Sequence, residues 1–349
     1  MIRRFAYVLL VLVFGTAAVA EDGWLKLEGG DGPGAGKHVV LVSGDEEYRS
    51  EEALPMLAQI LSAHHGFDCT VVFSMSPDGT FVDPNNGSSL EGIEALESAD
   101  LMIIATRFRK PLDEAMKYID EYLAKGKPVI GLRTATHGFN GIKGKYAHYN
   151  NGYNGDKAGW KDGFGRYVLG EKWISHHGHH GKQSTGGKIV ESMKDHPILS
   201  GVDEKTIWGP SDVYGVRLPL PGDSQPLVLG AVLEGMKPGD KPISGEDDPN
   251  KKNDPMMPVV WIKTYKSSSG VAGRVMNTTM GAATDFVEPG LRRIVINGVY
   301  WALGMESQIK ADANIDFVTD YQPSNFGFTP KDGKYWKAKD IKPSDFALE

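Results

Sequence analysis

The sequence is poor in cysteine, in basic charge and in long apolar runs, and each shortage excludes a class of protein. One cysteine, Cys69, among 349 residues can form neither an intrachain disulfide nor a cysteine-based zinc or iron–sulfur site. A formal net charge of −7 argues against a broad basic surface for nucleic acid. After the first twenty residues no run is apolar enough to span a bilayer. Apolar residues make up 40% of the chain, which predicts a globular protein with a core.

Residues 1–20 have the pattern of a Sec-type signal peptide. Two arginines precede a short apolar run, and Ala18-Val19-Ala20 forms a cleavage site of small residues. We therefore expect an exported protein, periplasmic or secreted, that does not contact the membrane after cleavage; an uncleaved anchor is the alternative. Removing this segment, which contains no acidic residue, lowers the net charge from −7 to −9.

The rest of the chain predicts a single α/β domain. A Gly-rich lead-in at 21–37 comes before apolar runs that alternate with amphipathic segments, the pattern of a doubly wound, mainly parallel sheet with helices on both faces. The domain covers 38–310, with a loop-rich insertion at 138–222 and a C-terminal extension at 311–349 on its surface. The predicted strands are His38–Ser43, Asp68–Ser74, Asp100–Thr106, Pro128–Leu132, Leu227–Leu233, Pro258–Tyr265 and Arg274–Thr279, and the predicted helices run from an N-cap at Ser50 to about His64, over Leu112–Leu123 and over Pro289–Leu303.

Three polar segments follow predicted strands, and ligands of such sheets bind at the carboxyl ends of the strands. These segments are Gly44–Arg49, which contains Glu47, then Thr106–Lys110 and Arg133–Phe139. Arg107 and Arg109 in the second segment suit recognition of carboxylate, phosphate or sugar hydroxyls. The alternative is an ion pair with acidic residues 45–47 of the first segment.

Arg133 stands where a strand-to-helix elbow would present a nucleophile in related folds. An arginine cannot be deprotonated to serve as nucleophile or base, but its planar fork can bind an anionic or hydroxyl-rich group. Thr134 and Thr136 supply hydrogen bonds, or a polar helix cap as the alternative, and His137 is a candidate acid/base.

A loop with four of the ten histidines is the second candidate site. The loop contains two adjacent histidine pairs, His176-His177 and His179-His180, with one glycine between them. Imidazole nitrogen is a common ligand of Zn²⁺ or Mn²⁺. The spacing is not that of a helical zinc motif. The alternative is a hydrogen-bonded loop that packs on Trp173.

An aspartate and a tyrosine after Pro210 complete the candidates. Asp212 can orient a histidine or act as a base, with a turn aspartate as the alternative, and Tyr214 follows it. His196, before Pro197, is interpreted as structural.

Several segments resemble the ThuA-like (trehalose utilisation) family, on the class I glutamine amidotransferase-like, flavodoxin-related fold. The resemblance covers roughly residues 38–304, and other segments of the sequence are similar to an exported variant of the family that is common in planctomycete-type bacteria. The segments that carry it are PVIGLRTATHGF, KDHPILSGV, PSDVYGV, PVVWIKTY, GRVMNTTMGA and GVYWALG.

The resemblance implies an enzyme that acts on a small carbohydrate. The expected reaction is hydrolysis or lyase cleavage of a glycoside, including a 3-keto glycoside. His137, His177 and Asp212 are the expected catalytic residues, and the expected substrate-binding residues are Glu47, Arg107, Arg109, Arg133, Thr134 and Tyr214.

Two departures from the family pattern leave other functions open. The elbow histidine of the family is replaced by Arg133, and the histidine after the last-strand glycine is replaced by Ala282. A non-catalytic sugar- or anion-binding module is therefore the alternative, and a structural partner of secreted polysaccharide-degrading enzymes is a third hypothesis. Glutamine hydrolysis is excluded, because the elbow holds no cysteine. A homo-oligomer is left open.

Overall fold

The computed structural model describes residues 19–21 and 23–348. The predicted signal peptide lies outside these residues, apart from Val19 and Ala20, which belong to the first strand. Among the described residues, no helix has the length and apolar character needed to cross a membrane.

An eleven-stranded mixed sheet forms the centre of the fold, and a separate two-stranded sheet lies beside it. The strands are β1 (Val19–Glu21), β2 (Trp24–Leu27), β3 (His38–Gly44), β4 (Asp68–Val72), β5 (Leu101–Thr106), β6 (Val129–Leu132), β7 (Ser175–His176), β8 (Thr185–Ile189), β9 (Trp208–Gly209), β10 (Tyr214–Gly215), β11 (Gln225–Val232), β12 (Met257–Lys266) and β13 (Ala272–Thr278). The α-helices are α1 (Ser50–His65), α2 (Asp113–Ala124), α3 (Pro289–Ala302) and α4 (Lys334–Lys339).

The strand order in the large sheet is β1-β2-β4-β3-β5-β6-β13-β12-β11-β8-β9. Strands β4, β3, β5, β6 and β13 are parallel to one another, and the strands on either side of this central group are antiparallel. Apolar side chains of α1 and α3 pack on one face of the sheet, and those of α2 and the 139–169 segment pack on the other. The predicted doubly wound, three-layer α/β fold is confirmed.

Two features of the chain differ from the sequence-based expectation. The prediction of Ser50 as an N-cap is wrong: Arg49 precedes α1 in the left-handed conformation, and the Ser50 hydroxyl accepts a hydrogen bond from the backbone N–H of Asp45 at 3.0 Å. The 21–37 lead-in contains β2, and the loop-rich 138–222 insertion contains β8, which both join the large sheet. Both strands are short and weakly alternating, so periodicity did not reveal them.

The C-terminal extension lies along α1 and reaches the carboxyl ends of the central strands. The backbone N–H of Gly327 donates to the carbonyl of Glu47 at 2.8 Å, just after β3. Trp336 of α4 is 2% exposed, and its indole N–H donates to Thr329 at 3.0 Å. The extension therefore belongs to the packed structure around the strand ends.

Candidate functional site

The three polar segments predicted to lie together do meet at the carboxyl ends of β3, β5 and β6. Gly44 pairs with Thr106 in the sheet. Beyond the strands, the N–H of Phe108 donates to the carbonyl of His137 at 2.9 Å. These backbone contacts bring the side chains that follow each strand to one edge of the sheet.

A cavity of about 110 Å³ opens at this edge. Its walls combine aromatic and polar side chains from the three strand ends, from the 173–214 region and from the C-terminal extension. The aromatic lining residues are Phe108, Trp173, Tyr214 and Phe328. The polar lining residues are Glu47, Arg107, His137 and His176. Pockets for drug-sized ligands usually measure about 300–1,000 Å³, so this cavity suits one small ring rather than a long oligomer.

Asp212 joins two of the loop histidines into a hydrogen-bonded cluster. His176 Nδ1 donates to Asp212 Oδ2 at 2.8 Å, and His180 Nδ1 lies 3.1 Å from Oδ1. The carboxylate is completely buried, whereas the His176 side chain is 39% exposed and lines the cavity. Because Asp212 holds Nδ1, the Nε2 atom of His176 is the nitrogen left for a ligand.

Pairing of two short strands places His176 beside this carboxylate. In the small sheet, His176 of β7 lies opposite Tyr214 of β10, two residues beyond Asp212. His177 follows the strand, and its backbone N–H donates to the carbonyl of Val213 at 2.8 Å. His177 Nε2 instead approaches the carbonyl of Lys252 at 2.7 Å.

Arg133 lies directly behind the carboxylate and is 1% exposed. One of its terminal nitrogens donates to Asp212 Oδ1 at 2.9 Å and to the Tyr48 hydroxyl at 3.2 Å. The other donates to the carbonyls of Asp212 and Thr279. The guanidinium also lies between two rings, 4.5 Å from the centre of Tyr48 and 3.6 Å from that of Tyr214.

This geometry corrects the expectation that Arg133 faces a ligand. The predicted elbow is present, since Arg133 follows β6 with a positive φ of 44°. Its side chain, however, does not line the cavity, and its terminal donors are used by protein oxygens. Arg133 therefore positions Asp212 rather than presenting its charge at the surface.

The surrounding charges decide the ionisation of the cluster. Burial alone would raise the pKa of Asp212, but Arg133, His176 and His180 together hold it well below its ordinary value. The hydrogen bond to Asp212 raises the pKa of His180, and Glu47, whose Oε1 lies 3.7 Å from His180 Nε2, adds to this effect. Asp212 is thus ionised at neutral pH and favours the protonated form of His180.

His137 contributes to the cavity as a neutral side chain. Burial, reinforced by Arg107, Arg133 and His176, lowers its pKa well below the ordinary value of histidine. Its Nδ1 lies 3.1 Å from the Thr136 hydroxyl. The residue lines the cavity as predicted, but its environment suits it to hydrogen bonding more than to proton transfer.

The arginines after β5 form the ion pairs that the alternative interpretation describes. Arg107 lies 2.6 Å from Glu46 and 3.0 Å from Glu47, and Arg109 also pairs with Glu46. Arg109 is only 2% exposed and also donates to the carbonyl of Pro84. Its burial keeps it from a ligand in the cavity, so the expectation that Arg109 binds substrate is corrected. Arg107 remains at the cavity wall. Burial raises the pKa of Glu47, although Arg107 opposes that effect.

Thr134 is also displaced from its expected role. It is fully buried, and its hydroxyl donates to Asp45 Oδ2 at 2.5 Å. The other oxygen of Asp45 accepts from the N–H groups of Glu47 and Tyr48. Thr134 therefore links the β6 elbow to the loop after β3 and shapes the site from behind.

The four-histidine metal site is reduced to a smaller candidate. Ligand atoms of His176, His180 and Asp212 lie within 4.8 Å of one another. His177 and His179 do not belong to this group: His177 contacts Lys252, as described above, and His179 is exposed on the loop. Asp212 is also bound to the Arg133 cation. The cluster therefore suits proton transfer by the His176–Asp212 pair better than it suits binding of a divalent ion.

Several residues of the site were not found in the sequence as functional candidates. Tyr48 stacks on Arg133, Trp173 packs 5.6 Å from His137, and Phe328 lies across the cavity. An aromatic pair in the polar C-terminal extension was the available signal for Phe328. Cys69, in contrast, is 2% exposed on β4, and burial raises its pKa. His196 is confirmed as structural, because its Nδ1 accepts from the N–H of Ile198 at 3.3 Å.

The fold and the site together define a flavodoxin-like α/β domain with a histidine–aspartate site at the carboxyl ends of its strands. The sequence profile of the trehalose utilisation family, ThuA, matches residues 38–302, and the chain belongs to this family. No curated protein matches the sequence.

Solved structures include two ThuA-like proteins that are similar to this chain. The one from Bacteroides uniformis ATCC 8492 is 15% identical, with a TM-score of 0.45, over 78% of this chain and 93% of its own. The one from Parabacteroides merdae ATCC 43184 is 17% identical, with a TM-score of 0.44, over 76% of this chain and 90% of its own.

Proposed function

We propose that this protein is an exported enzyme that cleaves a small glycoside by general acid/base chemistry, with a 3-keto glycoside as the favoured substrate. The observation that carries the proposal is the His176–Asp212 pair at a cavity lined by aromatic rings. The family description, trehalose utilisation, supports a carbohydrate as the ligand. Export rests on the sequence pattern of residues 1–20 alone.

The pair supplies a base in a defined orientation. Asp212 accepts the Nδ1 proton of His176, which fixes the tautomer whose Nε2 carries the basic lone pair. Arg133 keeps Asp212 ionised, so the carboxylate stabilises the imidazolium that forms when Nε2 takes a proton. Positioned groups of this kind contribute about 10²–10⁴-fold to rate.

The cavity walls match a sugar ring. Trp173 offers an apolar face, while Arg107, Glu47 and neutral His137 offer donors and acceptors to hydroxyl or carbonyl oxygen. Arg107 is the cation nearest the opening, and a planar guanidinium stabilises negative charge that develops on an oxygen.

These parts suggest removal of a proton next to a carbonyl group. In a 3-keto glycoside, His176 Nε2 takes the proton from C2, and the electrons of that C–H bond form an enolate whose oxygen faces Arg107. The enolate then reforms the ketone as a C1–C2 double bond forms and the C1–O bond breaks. The proton held by His176 passes to the departing oxygen, so that the alcohol and the unsaturated keto sugar are the products.

Turnover of methyl 3-keto-α-glucoside, followed as release of methanol, tests the proposal. We expect His176→Gln to lower kcat by about 10²–10⁴-fold. His179→Ala is the matched control, since this histidine belongs to the same loop but lies outside the cluster, and its activity should equal that of the wild type. Full activity in His176→Gln would overturn the assignment of the base.

A sugar- or anion-binding module without turnover is the second candidate. It is favoured by the elbow, which holds a buried Arg133 in place of a nucleophile. Methyl 3-keto-α-glucoside that binds in calorimetry but is not turned over by wild-type protein would support this function.

A zinc or manganese ion on His176, His180 and Asp212 is the competing arrangement for the same side chains. Metal analysis of the purified protein distinguishes it. Stoichiometric metal that is lost in His180→Ala but kept in His177→Ala would replace the proton-transfer pair by a metal centre.

A further inference from the structure

The C-terminal extension supplies part of the cavity although it lies beyond the family match. The profile ends at residue 302, whereas the cavity-lining Phe328 follows 26 residues later in the chain. The segment from 319 to 346 is held to α1, to the loops before β5 and to the turn after β13 by hydrogen bonds that involve Thr319, Tyr321, Ser324, Thr329, Ile341 and Phe346.

Two phenylalanines of this extension flank one anchored glycine. Gly327 is fixed from both sides, because its N–H donates to the carbonyl of Glu47 and its carbonyl accepts from Arg49, each at 2.8 Å. Phe326 packs inward, with its ring 5.3 Å from those of Tyr48 and His180. The anchoring of the glycine therefore sets where both phenyl rings lie.

Phe328 points the other way, toward the cavity opening. Its ring lies 4.8 Å from the Arg107 guanidinium, which also lies 4.9 Å from the ring of Phe108. Phe328 nevertheless remains 58% exposed. Because this exposed ring lines the cavity beside the Arg107 guanidinium, a ligand that enters the cavity would contact it.

We propose that the C-terminal extension determines the ligand specificity of the site, with Phe328 as the outer wall on which the apolar face of one sugar ring packs. This inference rests on the proposed function, because it takes the ligand to be a carbohydrate. The C–H groups on one face of a pyranose pack on an aromatic ring, while its hydroxyls reach Arg107 and Glu47 at the rim. A wall at this position also limits the cavity to a single ring.

The first test needs no ligand. Phe328→Ala should uncover the guanidinium of Arg107, which is 18% exposed in the folded chain. Modification of Arg107 by phenylglyoxal, followed by mass spectrometry of its peptide, should become several-fold faster. Val271→Ala, which truncates another exposed apolar side chain just before β13, at the opposite end of the parallel strands from the cavity, should leave the rate unchanged. An unchanged rate in Phe328→Ala would show that the ring is not a wall of the site.

The second test measures selectivity by calorimetry with methyl 3-keto-α-glucoside and 3-ketotrehalose. Phe328→Ala should weaken binding of the one-ring ligand about tenfold, since a stacking surface is lost, and should shift preference toward the two-ring ligand. If the wild type binds the sugars and Phe328→Ala binds them with the same affinities and the same preference, the proposed role of the extension is overturned while the proposed function still holds. A wild type that binds neither sugar would overturn the proposed function, and the sugar assignment of Phe328 with it, even if phenylglyoxal confirms the wall.

Discussion

Removing the arginine from the buried contact between Arg133 and Asp212 should be among the most destabilising single substitutions in this domain. The carboxylate is fully buried and the guanidinium is 1% exposed, with 2.9 Å between Nη2 and Oδ1. Arg133→Met keeps a side chain of similar length but removes the cation and its donors. Removing one partner of a buried pair leaves the other charge uncompensated, which costs about 3–5 kcal/mol.

His176 and His180 soften this loss without replacing the arginine. They donate to Asp212 from one side, whereas Arg133 also satisfies the carbonyls of Asp212 and Thr279. We therefore expect Arg133→Met to lower the free energy of unfolding by about 3–5 kcal/mol. Arg133→Lys keeps the charge but lacks the planar fork, so its loss should be about 1–2 kcal/mol.

Urea unfolding at pH 7, followed by tryptophan fluorescence and circular dichroism, measures these changes. Arg274→Met is the matched control, because this arginine pairs with Glu306 where both side chains are a third or more exposed. Its cost should not exceed about 1 kcal/mol. In the double variant Arg133→Met/Asp212→Asn the uncompensated charge is gone, and we expect part of the lost stability to return. The reasoning fails if Arg133→Met costs no more than Arg274→Met, or if the double variant is less stable than Arg133→Met alone.

Two further predictions concern packing and pH. Burial lowers the pKa of His65 to about 4, from its ordinary value of 6.5. As the pH falls below the ordinary value, the unfolded chain therefore binds a proton before the folded chain does, and the folded state loses stability. Between pH 7 and pH 4 the free energy of unfolding of the wild type, measured with urea, should fall by up to about 3 kcal/mol more than that of His65→Gln. Equal pH slopes in the two proteins would contradict this assignment. Gly165→Ala would place its Cβ 2.0 Å from the carbonyl oxygen of Thr136 and should cost about 1–3 kcal/mol, whereas Gly87→Ala, with open space around it, should stay within about 0.5 kcal/mol in the same assay. Equal stability of the two glycine variants would show that the backbone around residue 165 can shift to accommodate the added Cβ without strain.

The position of the site could be predicted from sequence because it depends on a general property of parallel sheets. Apolar runs identified the central strands, and the carboxyl ends of such strands share one edge. The contact between Phe108 and His137 beyond β5 and β6 is a direct consequence. Nothing beyond strand order and direction was needed for that part of the prediction.

The choice between ligand binding and ion pairing for the arginines could not be made in the same way. Residue type shows that Arg109 and Arg133 carry a fixed charge, but it does not show whether an acidic side chain lies within reach. Arg109 meets Glu46, which precedes it by 63 residues, and Arg133 meets Asp212, which follows it by 79. These partners are set by the crossing of loops above the sheet, and no local periodicity records such contacts.

The histidine loop shows the same limit at closer range. Four histidines with nearly identical neighbours are equivalent in the sequence, yet only His176 lies opposite Tyr214 in the two-stranded sheet. That pairing joins segments 38 residues apart, whereas His177, the residue after β7, contacts the carbonyl of Lys252. A strand of two residues is too short to leave a pattern from which this could have been read.

Arg133 connects these observations to the chemistry that we propose. In an α/β fold the elbow presents a nucleophile because the strained turn projects one side chain above the sheet. Here the same turn carries a cation, and a cation at that point stabilises an anion in front of it. The anion is Asp212. Its Oδ1 accepts from Arg133, and its Oδ2 accepts from His176 and orients that histidine toward the cavity. In the proposed mechanism the reactive group is therefore His176 and not a side chain at the elbow. Arg133 holds Asp212 and Asp212 holds His176, so this histidine can move a proton although the elbow provides no nucleophile.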